Sequence, residues 1–294
     1  MRLVECVPNF SEGRRPAVVA AIRDAIAAVP GAAVLDVHTD AWHNRSVVTF
    51  VAPPATAVDA AFAGIATAAE LIDLTQHAGV HPRLGAADVV PFVPLAAYGT
   101  TIAECVGLAR TLGARVGAAL GVPVYLYDRA ATRPDRVNLA DVRRARVGPP
   151  DFGPPAAHPT AGVAVIGARK FLVAFNVYLG PATNMPVARA VARAVRASSG
   201  GLPGVKALAL EVDGQAQLSM NLVDVDAAPP AVAYDAVRRA ALAHGVAPTW
   251  SELVGLAPER TLDDETARRI GLRDFGPHRL LEGRIREAVI NRPA

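Results

Sequence analysis

The chain has 294 residues, 30 Lys and Arg against 27 Asp and Glu, a formal net charge of +3, and 52% hydrophobic residues with only 5% aromatics. Near-balanced charge without a dense basic tract argues against nucleic acid as a partner, and the longest uncharged run, 89–103, is broken by Pro91 and Pro94 and suits no membrane span. Cys6 and Cys105 form no CxxC pair and give neither a disulfide framework nor a thiolate metal site; with MRLVECVPNF in place of a signal peptide, the chain reads as cytoplasmic.

Residues 3–7 predict a short strand, and 14–29 a helix with Val18, Val19, Ile22, Ile26 and Val29 at helical spacing, stopped by Pro30-Gly31. Strands follow at 33–37 and 46–52, a helix at 55–72 with Val58, Phe62, Ile65, Ala69 and Ile72 on one face, and a strand at 88–95. That order, β-α-β-β-α-β, is the split ferredoxin-like pattern. Thr101 and Glu104 make a capping box for a helix over 102–119, and 122–127 predicts a further strand. The Arg- and Pro-rich stretch 128–160 is too long for an ordinary connection and reads as a functional loop.

The order then recurs. Residues 163–179 are strand-like, 185–199 helical, 205–212 and 215–223 flank the hairpin signal Asp213-Gly214, and 231–244 are helical. The expected class is therefore α+β, with two ferredoxin-like (βαββαβ-type) halves, a ligand cleft between them, and charged helices in the tail 257–294. The halves are set at 1–178 and 179–294.

No GxGxxG or GxxxxGK[ST] occurs, so no nucleotide site is expected, and no GxSxG nucleophile motif is present either. The stretch HAGVHPRLGAADVVPFVPL (77–95) carries His77 and His81 four apart, but Gly79 and Pro82 rule out a helical metal clip. It reads as a tight loop presenting His81 and Arg83 at the mouth of a buried strand, with His81 suited to proton transfer near neutral pH. His77 reads as an exposed helix-terminal histidine, and Tyr125 and Tyr127 as core. The segment DVHTDAWHNRSVVTF (36–50) gathers Asp36, His38, Asp40, His43, Asn44 and Arg45 between two strands. It reads either as the polar wall of a metal-free site or, equally, as a solvated connection, with a metal site ranked below the metal-free one. Asn176 and Asn221 lie in apolar strands, where an amide needs partners.

The segments LVECVPNFSEG (3–13), HNRSVVTFV (43–51), HPRLGAADVVPFVP (81–94), PDFGP (150–154), HPTAGVAVIGARKFLVAFNV (158–177), SSGGLP (198–203) and QLSMNL (217–222) together resemble the formiminotransferase family, in family order and over nearly the whole chain. The resemblance implies a transferase of one-carbon metabolism and histidine degradation, moving a formimino group from N-formimino-L-glutamate to N5 of tetrahydrofolate. It implies tetrahydrofolate as co-substrate without metal or nucleotide, and a homodimer with small-molecule partners and no membrane or nucleic acid. The catalytic histidine falls on His81, with His38 and Asp40 beside it. The folate-contact segment falls on Gly153, Pro154, Pro155, Ala156, Ala157, His158, Pro159, Thr160, Ala161 and Gly162. Asn9, Asn44, Arg45, Arg83, Asn176 and Asn221 are expected to bind substrate, the arginines taking carboxylates. His38 stands where the family carries an acid, and Trp42 where bacterial relatives commonly carry another. These departures motivate an alternative donor, and a non-catalytic folate binder is the other alternative.

Overall fold

The computed structural model describes residues 1–79, 83–144 and 148–291. It divides into two units, Met1–Lys170 and Phe171–Ala294.

In the first unit the elements are β1 (Val4–Cys6), β2 (Asn9–Phe10), α1 (Pro16–Ala27), β3 (Ala33–Asp40), β4 (Arg45–Ala52), α2 (Pro54–Leu71), β5 (Ala87–Pro94), α3 (Ile102–Leu120), β6 (Val124–Asp128), α4 (Leu139–Arg143) and β7 (Ala164–Ala168). Proline opens α1 and α2, where its missing N–H costs nothing and its fixed φ suits the first turn. Thr101 and Glu104 close the expected capping box on α3. β1 and β2 lie end to end, both antiparallel between β4 and β5. β3 flanks β4, while β7 runs parallel to β5 and β6 parallel to β7.

Strand alternation divides this sheet into two faces. Phe10, Phe50, Phe92, Ile22, Ile65 and Leu112 fill the core between the sheet and α1–α3. Ladder partners share a face, so the opposite face carries Asp36, His38 and Asp40 on β3, Arg45 and Thr49 on β4, Glu5 on β1 and Asn9 on β2. The polar residues of the first half are thus gathered on the side away from α1–α3.

The second unit holds β8 (Val173–Pro181), α5 (Met185–Val195), β9 (Val205–Val212), β10 (Gln215–Leu222), α6 (Pro230–Leu242), β11 (Trp250–Val254), α7 (Asp264–Arg269) and α8 (Leu281–Ile285). Its sheet runs β11-β8-β10-β9, antiparallel throughout. Phe175, Val177, Leu218, Met220, Val191 and Val237 pack into its core with α5 and α6. The other face carries Asn176, Tyr178, Gln217, Ser219 and Glu252.

Three expectations are revised here. The stretch 163–179 is two strands in two sheets: Ala164–Ala168 is buried throughout in a parallel pairing, which demands a continuous apolar run, and β8 starts only after Arg169-Lys170. The units accordingly divide at Lys170/Phe171, whereas a division after 178 would cut β8. The 36–45 stretch is less loop than expected, because β3 extends to Asp40 and only residues 41–44 connect it to β4.

Candidate functional site

The turn between β3 and β4 is the hub of the first unit. Asp40 accepts the His43 backbone N–H at 2.8 Å and sits 2.5 Å from its ring Nδ1. Burial alone would raise the Asp40 carboxyl, but the hydrogen bonds from the His43 ring and backbone, with the charges of His43 and His38, hold it at about 2. Asn44 adopts φ 48, a left-handed conformation that asparagine tolerates better than most residues. Its side chain accepts from the Gly13 N–H at 2.9 Å and donates to the Ala78 carbonyl at 3.1 Å, tying three segments together. A Cβ on Gly13 would stand 2.3 Å from the Asp40 carbonyl, so only glycine permits that approach. Next to it, Glu12 accepts the Arg14 and Arg15 N–H groups at 2.8 and 2.9 Å, a carboxylate at the start of α1.

Arg83 reaches the same turn from the other side. It donates to the carbonyls of His43 at 2.8 Å and Asn44 at 3.1 Å. His77 follows a 3-10 turn (Leu74–Gln76) and is half-buried rather than exposed. Its ring takes an Arg83 N–H on Nδ1 at 2.7 Å and meets the Asn44 carbonyl through Nε2 at 3.2 Å. Burial, then the Arg83 charge, lower its pKa, so the ring is neutral and fitted to accept. His81 lies outside the described residues. At the last described position before it, a Cβ on Gly79 would stand 2.6 Å from the His43 carbonyl.

Beneath the turn lies a second basic group. Asp88, 3% exposed, accepts the Leu84 N–H at 2.7 Å and pairs with Arg143 of α4 at 2.5 Å. Arg45 donates to Asn9 Oδ1, while the Asn9 amide donates to the Val7 carbonyl at 2.8 Å. The Nε–H groups of Arg45 and Arg143 are buried without an acceptor among the described residues. Burial pulls the Arg45 guanidinium down to about 10 against the attraction of Asp88, which leaves it charged at neutral pH. Arg143 escaped the sequence reading; its only signal was membership of the proline-rich 128–160 stretch.

The 153–162 segment is pinned at both ends. Upstream, the half-buried Asp151 pairs with the buried Arg136 at 2.6 Å and accepts the Leu126 N–H at 2.8 Å. Gly153, at φ 85, lies against Gly117 of α3. Downstream, His158 and Gly162 exchange backbone hydrogen bonds of 2.9 and 3.0 Å, and His158 Nδ1 accepts the Ala161 N–H at 3.1 Å. Leu74 donates to the Thr160 carbonyl, Ala86 to that of Ala161, and Val163 to that of Leu84, at 2.9 to 3.0 Å. Residues 158–163 therefore lie alongside 84–86. Residues 154–157 between the two anchors are exposed.

In the second unit, Asn176 and the Tyr178 hydroxyl both donate to Glu252 Oε1 at 2.9 Å. Asn221 is exposed, on β10 between Ala174 and Lys206. Glu252, like Arg143, was not singled out from the sequence.

Among the described residues no group of three or more His, Cys, Asp and Glu is placed to hold a metal ion, and no helix is long and apolar enough to cross a membrane. The family described as formiminotransferase domain, N-terminal subdomain, matches residues 3–169, and formiminotransferase domain matches 174–269. A glutamate formimidoyltransferase of Thermoplasma acidophilum is 49% identical, covering 98% of this chain and 99% of that protein. One from Streptococcus pyogenes is 39% identical, covering 97% and 99%. The formimidoyltransferase-cyclodeaminase of Rattus norvegicus is 39% identical over 90% of this chain, which spans 52% of that longer protein.

Proposed function

This chain belongs to the formiminotransferase family, and on that premise we propose that it transfers the formimino group of N-formimino-L-glutamate to N5 of tetrahydrofolate. The observation that carries this reading is 49% identity, over 98% of this chain and 99% of the relative, to a protein named for glutamate formimidoyl transfer.

In the proposed reaction the N5 lone pair attacks the formimino carbon and forms a tetrahedral intermediate. The N5 proton leaves, and the bond to the glutamate nitrogen breaks as that nitrogen gains a proton. His81 serves as base for the first transfer and acid for the second. Arg45 takes a donor carboxylate, which supports its buried positive charge and its unanswered Nε–H. Arg83 holds the β3–β4 turn through its two backbone carbonyls, and a substrate carboxylate engages whatever donors remain. His38, Asp40 and Asn9 share the face of Arg45, which supports a placement beside the reacting atoms. Residues 153–162 line the folate, with their two pinned ends supplying a preordered backbone. Two ferredoxin-like halves, a homodimer and a cytoplasmic location complete the reading. The strand orders β5-β1/β2-β4-β3 and β11-β8-β10-β9 support the first of these.

A second reading, a different formimino or formyl donor, is favoured by His38 and by Trp42, 46% exposed on the 41–44 turn. Incubation with tetrahydrofolate and N-formiminoglutamate, followed by acid, should yield the absorbance of the 5,10-methenyl product. A panel of other donors tests the second reading. Folate binding without turnover on any donor would overturn both.

A further inference from the structure

On the face of the second sheet away from α5 and α6, three side chains converge on one carboxylate oxygen. Gln217 donates to the Tyr178 hydroxyl at 2.5 Å, and that hydroxyl donates onward to Glu252 Oε1 at 2.9 Å. Asn176 donates to the same Oε1, also at 2.9 Å. Gln217, Tyr178 and Asn176 are only 1%, 5% and 6% exposed. Trp250, two residues before Glu252, stacks on Tyr178 with centroids 3.7 Å apart and planes 9° from parallel, and Arg273 covers the Trp250 ring at 4.1 Å.

This arrangement fixes a carboxylate without neutralising it. Glu252 has no cationic partner among the described residues, and its second oxygen, Oε2, takes no hydrogen bond from them. The Gln217 carbonyl oxygen is buried and has no donor among them. Glu252 is half-buried, so its Oε2 stays open to solvent or a ligand, whereas a cross-brace built for stability alone would not be expected to leave the buried Gln217 acceptor unanswered beside it. Two neighbouring acceptors held in fixed positions suit a ligand edge with adjacent N–H donors.

We propose that Glu252, oriented by Asn176, Tyr178 and Gln217, binds the 2-amino-4-oxopyrimidine edge of the reduced pterin through its N–H donors. The proposal rests on the folate-dependent reading above and adds to it a residue of the second unit that recognises the pterin. Glu252 is a binding group; Asn176, Tyr178 and Gln217 position it.

The test compares the binding of 5-formyltetrahydrofolate and its 2-desamino analogue to the full chain and to Glu252→Gln, by calorimetric titration. A hydrogen bond to a charged group is worth about 10- to 100-fold in affinity. The unmodified protein should therefore prefer the parent compound by about that factor, and Glu252→Gln should bind the parent about that much more weakly while losing the preference. A purely structural brace would change the melting temperature and both ligands alike. If Glu252→Gln does not fold, Tyr178→Phe keeps the stack on Trp250 and should show a smaller loss of the same preference. Undiminished preference in the folded variant overturns this assignment and leaves the proposed activity standing. Failure of the unmodified protein to bind 5-formyltetrahydrofolate at all overturns both.

Discussion

A histidine that gives and takes one proton must be free to change its hydrogen bonds during the reaction, and His77 is not. Its two ring nitrogens are engaged by Arg83 and the Asn44 carbonyl. Replacing it with alanine should loosen Arg83, which still keeps its bonds to the His43 and Asn44 carbonyls. For His81→Ala the expected loss in kcat is about 10²–10⁴-fold, the usual worth of a positioned acid-base group, with folate affinity nearly unchanged. Steady-state kcat and a folate titration on both variants check this. A near-normal His81→Ala enzyme, or greater damage from His77→Ala, would count against the assignment. Asp40 gives a second residue-level prediction. Its folded pKa of about 2 lies below the ordinary 3.8, so the folded state favours the ionised form. The stabilisation is complete above pH 3.8 and disappears as pH falls through about 2. Asp40→Asn should therefore unfold at lower urea than the parent protein near neutral pH, by at most about 2 kcal/mol, and the gap should close on acidification. A gap that stays constant with pH would show that Asp40 acts through packing alone.

At the scale of elements, competing magnitudes explain one conspicuous choice. Gly117 sits inside α3, where it costs about 1 kcal/mol relative to alanine. A Cβ there would stand 2.6 Å from the Gly153 nitrogen, so glycine lets the first anchor of the proposed folate segment lie on the helix. Gly117→Ala should therefore lower the melting temperature despite its better helix propensity, and weaken folate binding with it. A stabilised variant with intact folate affinity would refute this. Elements with local signals were the legible ones. Helices α1 to α3 followed from apolar spacing, prolines and a capping box, and the β9–β10 hairpin from Asp213-Gly214. β11 was missed because its five residues, WSELV, carry little pattern and pair with β8 about 75 residues away. The site divides in the same way. Asp40, Asn44 and Arg45 stood out as a local polar cluster. Arg143 and Glu252 did not, since the bonds that give them meaning span 55 and 76 residues.

For the whole molecule, the same plan appears twice: an apolar core against helices, and a polar sheet face on the other side. The two faces differ in character. The first carries a buried guanidinium suited to a donor carboxylate, and the second a fixed carboxylate suited to N–H donors. If donor and acceptor are recognised by different units, neither unit suffices for transfer. Each has its own hydrophobic core, so residues 1–170 and 171–294 can be produced separately and checked for cooperative melting. Neither folded fragment should form the 5,10-methenyl product above background, and mixing them should restore turnover in proportion to the complex formed. Full activity from residues 1–170 alone would show that the first unit holds both substrates, and the division of labour between the two faces would then be wrong.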